Sequence, residues 1–102
     1  MANTVFWGPY EFTIYQREGQ WSNDAGIYIF AGLNPQGKWV PYYIGQCDSF
    51  QNRIPSHEQW DRARSLGATH VHVRTVPLAT DRNRIEADLI RDYQPRMNIQ
   101  GR

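Results

Sequence analysis

Residues 26–45, GIYIFAGLNPQGKWVPYYIG, constrain the fold more tightly than any other stretch of the chain. Two runs rich in β-branched and aromatic residues flank a segment of Asn, Pro and Gly, which is the pattern of a β-hairpin. Pro41 cannot donate a ladder hydrogen bond, so the second run (38–44) belongs at the edge of a sheet. The first run (26–31) is then interior and needs a neighbour on its other side. THVHVRTV (69–76) alternates apolar and polar residues and fits that place. The outer ends of the hairpin are the near-mirrored triplets Gly26-Ile27-Tyr28 and Tyr43-Ile44-Gly45, each with a phenol. Tyrosine is an ordinary strand residue, so either phenol alone requires nothing beyond packing. The pair raises the question of shared chemistry.

Period and punctuation give the remaining elements. EFTIYQ (11–16) alternates and predicts a possible extra strand, followed by a turn over REGQWSNDA. SFQNRIPSHEQWDRARSLG (49–67) has helical character and ends at Gly67, a C-cap residue. Pro55 disfavours helical geometry at Ile54, so this helix starts near Pro55 or kinks there. TDRNRIEADLIRDY (80–93) predicts a helix with Thr80 or Asp81 as N-cap, an apolar side of Ile85, Leu89, Ile90 and Tyr93, and a stop at Pro95. The order is β-β-α-β-α, with a possible strand before it. The expected architecture is a single α/β domain of the α+β type, a small three-stranded antiparallel sheet flanked by helices. Its expected divisions are an N-terminal arm over 1–25, the main domain over 26–99 and a tail over 100–102. A chain of 102 residues has room for one domain with one modest core.

Strand alternation puts Ile27 and Ile29 on one face and Gly26, Tyr28 and Phe30 on the other. Val71 and Val73 likewise oppose His70, His72 and Arg74. The expected solution turns all the aliphatic residues toward the helices. Tyr28, Tyr43 and part of the His/Arg set then share the other surface.

The formal net charge of +1 makes no general demand for nucleic acid or membrane. Residues 1–49 nevertheless carry −2 and residues 50–102 carry +3, and ten of the eleven basic residues are Arg, the type suited to bidentate phosphate contacts. Cys47 is the one cysteine, which excludes an intrachain disulfide and a zinc-type cysteine cluster. No apolar stretch approaches membrane-spanning length, and a soluble, cytoplasmic protein is expected.

Three polar features need an account. Glu86 lies on the border of the apolar stripe of its helix, where a carboxylate needs a metal ion or a basic partner such as Arg82 or Arg53. Arg53 and His57 are four residues apart and would share a face of a regular helix, with Pro55 between them. His70 and His72 could ligate a metal together, but no third ligand is evident, and exposed positions on an alternating strand account for both. Trp7, Trp21 and Trp39 are candidates for stacking on unpaired bases or for core packing.

Taken in chain order, these residues resemble the GIY-YIG nuclease superfamily, which includes the N-terminal nuclease domain of the excision-repair C subunit, certain homing endonucleases, some restriction enzymes and junction nucleases. The two naming triplets are present, Arg53 follows the second, and His57 stands where the family has His or Tyr. Glu86 in RIEADLI matches the metal-binding glutamate, and Asn98 in QPRMNI the closing asparagine. The resemblance implies a metal-dependent endonuclease acting on nucleic acid, DNA first, that leaves a 5′-phosphate and a 3′-hydroxyl. It implies one Mg²⁺ or Mn²⁺ held by Glu86, Arg53 stabilising charge on the phosphate, and Tyr28, Tyr43 or His57 positioning or deprotonating water. Asn98 would orient its neighbours. Gln46, Arg62 and Arg74 are the expected nucleic-acid contacts. The sequence departs from the family pattern at Gln46, where many members carry Lys, and at Pro55. The near-neutral charge and Gln46 leave a second expectation open, a non-catalytic or partner-dependent accessory subunit of the same fold.

Overall fold

The computed structural model describes residues 3–99. Its centre is the expected hairpin: β3 (Gly26–Leu33) pairs antiparallel with β4 (Trp39–Cys47). Asn34 closes the turn by accepting from the backbone N–H groups of Gln36 and Lys38, both at 2.9 Å. Pro41 faces Ala31 just past a register shift that skips Tyr42, and β4 is an edge strand. β5 (His70–Thr75) takes the other side of β3, also antiparallel.

The sheet is larger than the expected three strands. β1 (Thr4–Trp7) and β2 (Tyr10–Tyr15) form a second hairpin around Gly8, whose φ of 60° suits a residue without a Cβ. β2 pairs with β5, giving a five-stranded antiparallel sheet in the order β1-β2-β5-β3-β4. Much of the expected N-terminal arm is therefore sheet. The tail over 100–102 lies outside the described residues.

The expected sharing of faces is also overturned. Register places Tyr28 opposite Val73 and Phe30 opposite Val71, so these valines lie on the phenol face. His72 and Arg74 stand opposite Ile29 and Ile27, on the other face. Both faces of β3 are covered. Tyr28, Phe30, Val71 and Val73 pack with Phe50, Ile54, Trp60, Ala63 and Met97. Ile27, Ile29 and Ile44 pack with Trp7, Phe12, Ile85 and Leu89. A strand buried on both sides needs apolar or small residues at nearly every position, and β3 is such an inner strand, buried from Gly26 to Gly32.

The predicted helix over 49–67 is two helices. α1 (Phe50–Arg53) ends at Ile54, a turn carrying Pro55 follows, and α2 (Trp60–Leu66) closes on Gly67, whose φ is 133°. Ser49 caps α1 by accepting from the Asn52 N–H. α3 (Ala79–Tyr93) starts from Leu78, before the expected caps, because neither Thr80 nor Asp81 lies outside the helix. Gln94 ends it in the left-handed conformation, and Pro95 leads into the single turn of α4 (Arg96–Ile99). Among the described residues no helix is long and apolar enough to cross a membrane.

Candidate active site

The two triplets interlock. Tyr28 is buried, and its ring lies across Gly45: a Cβ on Gly45 would stand 2.5 Å from the phenol oxygen and 2.6 Å from Cζ. The tyrosine of the first triplet thus requires the glycine of the second. Gly26 serves a neighbouring approach, since a Cβ there would strike the Arg74 carbonyl oxygen and come 2.6 Å from the Phe50 ring. α1 is thereby brought down onto the first triplet.

The turn after α1 sends His57 inward. Its imidazole is wholly buried, and Nε2 lies 2.7 Å from the Tyr28 hydroxyl. Nδ1 accepts from the backbone N–H of Gln59 at 3.1 Å. A neutral ring with Nδ1 as acceptor carries its proton on Nε2, so His57 donates to the Tyr28 oxygen. Burial, with the charge of Arg53 second, lowers the His57 pKa to about 4, and the ring is neutral near pH 7. This donor side would stabilise a phenolate on Tyr28. Burial works against that ionisation and raises the Tyr28 pKa, while Arg53 pulls it down.

Tyr43, on the same face, has its ring centroid 6.3 Å from that of Tyr28 and 5.4 Å from that of His57. Burial raises its pKa, opposed first by Arg53 and reinforced by Glu86 and Glu58. Arg53 ends α1 beside both phenols and donates two hydrogen bonds to Glu58, Nη1 to Oε2 at 2.7 Å and Nη2 to Oε1 at 3.0 Å. Glu58 was not singled out in the sequence. Its adjacency to His57 was visible, but its place on Arg53 depends on the Pro55 turn.

Glu86 reaches the rim from α3, on the other face; both faces of the sheet meet there because β4 is an edge. The Gln46 side-chain amide donates to Glu86 Oε1 at 3.0 Å and to Asn83 Oδ1 at 2.7 Å. Arg82, considered as a partner of Glu86, is instead buried and donates to the carbonyls of Val76 and Pro77 and to Asp48. Carboxylate and amide oxygens, with no sulfur or imidazole, form the donor set of a hard divalent cation, and Glu86 fits as its one charged ligand. No group of three His, Cys, Asp or Glu side chains among the described residues is placed to hold a metal by itself.

Asn98 clamps the middle of the second triplet. Its Oδ1 accepts from the Ile44 N–H and its Nδ2 donates to the Ile44 carbonyl, both at 2.8 Å. The carboxamide thus acts as a one-residue strand on the open edge of β4.

Tyr28, Tyr43, Arg53 and His57 are brought together, with Glu86, Gln46 and Asn98 around the same stretch of β4. Arg62 is exposed on α2. Arg74 stands apart: its guanidinium donates to the Glu11 carbonyl and lies over the Tyr10 ring, on the sheet face opposite Tyr28. His72, expected to be exposed, is wholly buried, and its Nδ1 accepts from Trp7 Nε1 at 3.0 Å. Its ring stands edge-on to Trp39 with centroids 4.5 Å apart, so Trp7 and Trp39 serve packing here.

Solved structures repeat this arrangement of chain. The GIY-YIG N-terminal endonuclease domain of UvrC from Thermotoga maritima, bound to magnesium as its catalytic divalent cation, matches with a TM-score of 0.62 at 27% identity, over 78% of this chain and 88% of that one. This chain has the GIY-YIG fold. A cation-bound point mutant of the same domain, with tyrosine replaced by phenylalanine, matches at a TM-score of 0.61 and 28% identity over the same shares. No protein-family model and no curated protein matches the chain. The resemblance to GIY-YIG nucleases therefore stands on these structures together with the triplets themselves.

Proposed function

We propose that this GIY-YIG chain is a metal-dependent endonuclease that hydrolyses phosphodiester bonds in nucleic acid, DNA in the first place, leaving a 5′-phosphate and a 3′-hydroxyl. The observation that carries the reading is the Tyr28–His57 hydrogen bond of 2.7 Å set beside Tyr43 and Arg53, on a strand edge that Glu86 reaches from the opposite face. Strand packing does not need a buried imidazole that donates to a buried phenol.

Glu86 would hold one Mg²⁺ or Mn²⁺, with Gln46 orienting its carboxylate. The bound cation would supply Lewis-acid polarisation of the phosphate and water of lowered pKa. Arg53 would meet the charge that builds on the scissile phosphate. His57 is poised as a donor, so its role would be to stabilise Tyr28 as a phenolate, the phenol's own proton released to solvent. That phenolate would be able to accept the proton of the attacking water through Tyr43. Of the three candidate bases, this hydrogen bond favours a tyrosine. Tyr43 is the more accessible phenol and would touch the attacking water. Asn98 is a positioning residue that fixes Ile44 and, through it, Tyr43.

The test is cleavage of supercoiled plasmid, single strand and branched duplex by wild type and Glu86→Ala, with Mg²⁺ or Mn²⁺. Cleavage by the wild type alone supports the reading. A folded wild type that cuts no substrate overturns it. The accessory-subunit reading, favoured by the engagement of Arg53 with Glu58, then takes its place.

A further inference from the structure

The Glu58 carboxylate fills the fork of the Arg53 guanidinium. Its two oxygens accept from Nη1 and Nη2 at 2.7 and 3.0 Å. Parallel bonds from two nitrogens to two oxygens are also how a guanidinium takes a phosphate. The turn builds the contact: Ile54 caps α1, Pro55 and Ser56 reverse the chain, His57 goes inward, and the next residue falls back over Arg53. The pair sits at the rim of the site, with side chains 35% and 64% exposed, so an anion arriving from solvent can reach it. Arg53 also holds the Glu58 carboxyl well below the usual carboxylate range, which keeps it ionised at neutral pH.

The fork cannot serve both anions. A phosphate beside an Arg53 still carrying Glu58 would face a carboxylate at close range, and like charges at that separation repel. While the pair is made, its charges cancel, and Glu86 leaves the rim with no net positive charge. We propose that Glu58 is a built-in stand-in for the substrate phosphate, which a phosphodiester must displace from Arg53, so that Glu58 sets the affinity threshold of the site. The identity of the displacing anion rests on the nuclease reading; the exchange of anions at Arg53 does not. A substrate that makes enough contacts elsewhere pulls Arg53 free, and a weakly held one leaves the fork closed.

The test removes the charge and keeps the shape. Glu58→Gln is compared with Asp61→Asn, which deletes an equal charge from the exposed start of α2, where the carboxylate is only 4.0 Å from Arg64. Binding of a fluorescein-labelled short duplex is measured with EDTA present, so that no cleavage intervenes. In parallel, inorganic phosphate is titrated while the Arg53 Nε–H resonance is followed by NMR. Glu58→Gln is expected to tighten both by about fivefold. Asp61→Asn is expected to change either by less than about twofold. Equal effects of the two variants would mean bulk charge alone and overturn the proposal. Weaker binding by Glu58→Gln also overturns it, because Glu58 would then be holding Arg53 in place for the phosphate. If no variant binds duplex, the cleavage test alone decides the nuclease reading. The phosphate titration then decides the exchange independently: a lower phosphate midpoint in Glu58→Gln than in wild type and Asp61→Asn supports it, and an unchanged one rejects it.

Discussion

The Tyr28–His57 bond makes separate demands on stability and on chemistry. In Tyr28→Phe the buried Nε2–H of His57 loses its acceptor, which costs about 1–3 kcal/mol in a dry site. If Tyr28 takes part in moving the proton of the attacking water, kcat falls by about 10²–10⁴ while duplex affinity is unchanged. Chemical denaturation, binding and single-turnover cleavage separate the effects, and a variant that cuts at the wild-type rate removes Tyr28 from the chemistry. The imidazoles carry a second prediction. Burial holds His57 and His72 at about 4, below the ordinary 6.5. As pH falls below 6.5 the unfolded chain takes up protons that the folded chain refuses until about 4. Stability from this source is complete above 6.5 and is lost between 6.5 and 4. The loss is at most about 3 kcal/mol per histidine. The urea midpoint should therefore fall steadily from pH 7 to 4.5, and less steeply in His57→Gln. A midpoint that stays level across that window would mean that both rings are solvated.

At the scale of elements, the site is an edge strand held from two sides. Asn98 supplies the two hydrogen bonds that a further strand would have given Ile44, and Gly45 makes room for the Tyr28 ring. Asn98→Ala leaves a buried N–H and C=O without these partners and should cost about 1–3 kcal/mol. Gly45→Ala should cost a similar amount by overpacking, since the ring above it is enclosed on its other side. Both variants should also weaken cleavage with little change in the affinity for Mg²⁺, read by isothermal titration calorimetry, because Glu86 is carried by α3. A parallel loss of metal affinity would show that Glu86 depends on the register of β4. These elements were legible in the sequence to different degrees. Pro41 and the two triplets fixed the hairpin, its edge and its phenols, because turn chemistry and the missing N–H are local properties. The phase of β5 against β3 was not legible. Alternation says which residues share a face within a strand, but only register decides that Val73, and not His72, stands beside Tyr28. The helix over 49–67 misled for a similar reason: Pro55 announced a break, but not that the chain would turn His57 inward and lay Glu58 on Arg53. β1 is hard to read from sequence, although the Gly8-Pro9 pair between two apolar runs signals a turn. The run is four residues long, too short for its period to show.

Over the whole molecule, β3 is buried on both faces, while the phenol-side face of β1 and β2 is open and carries the acidic Glu11. The candidate site lies on the β4 rim, which gives rigid positioning without a broad basic surface for gripping a polyanion. The net charge is +1, and the basic residues are dispersed. Arg82 is committed inside the fold, Arg74 belongs to the face away from the phenols, and Arg84 and Arg91 pair with acids along α3. Arg53 itself is masked until its carboxylate is displaced. A protein that neutralises few phosphates releases few counterions, and its affinity depends weakly on salt. For this chain, log Kd against log salt should have a slope of magnitude about 2–3, the value for two or three phosphate contacts. Fluorescence anisotropy with a labelled duplex over a range of NaCl concentrations, in EDTA, measures it directly. A slope twice as steep would reveal a basic footprint that the dispersed arginines do not provide, and would make the chain self-sufficient in binding. The shallow slope would instead mean that metal and motif supply the chemistry while affinity must come from elsewhere. Adding a partner that carries its own nucleic-acid surface should then lower KM and leave kcat unchanged, because the partner would contribute binding and none of the groups on the β4 edge.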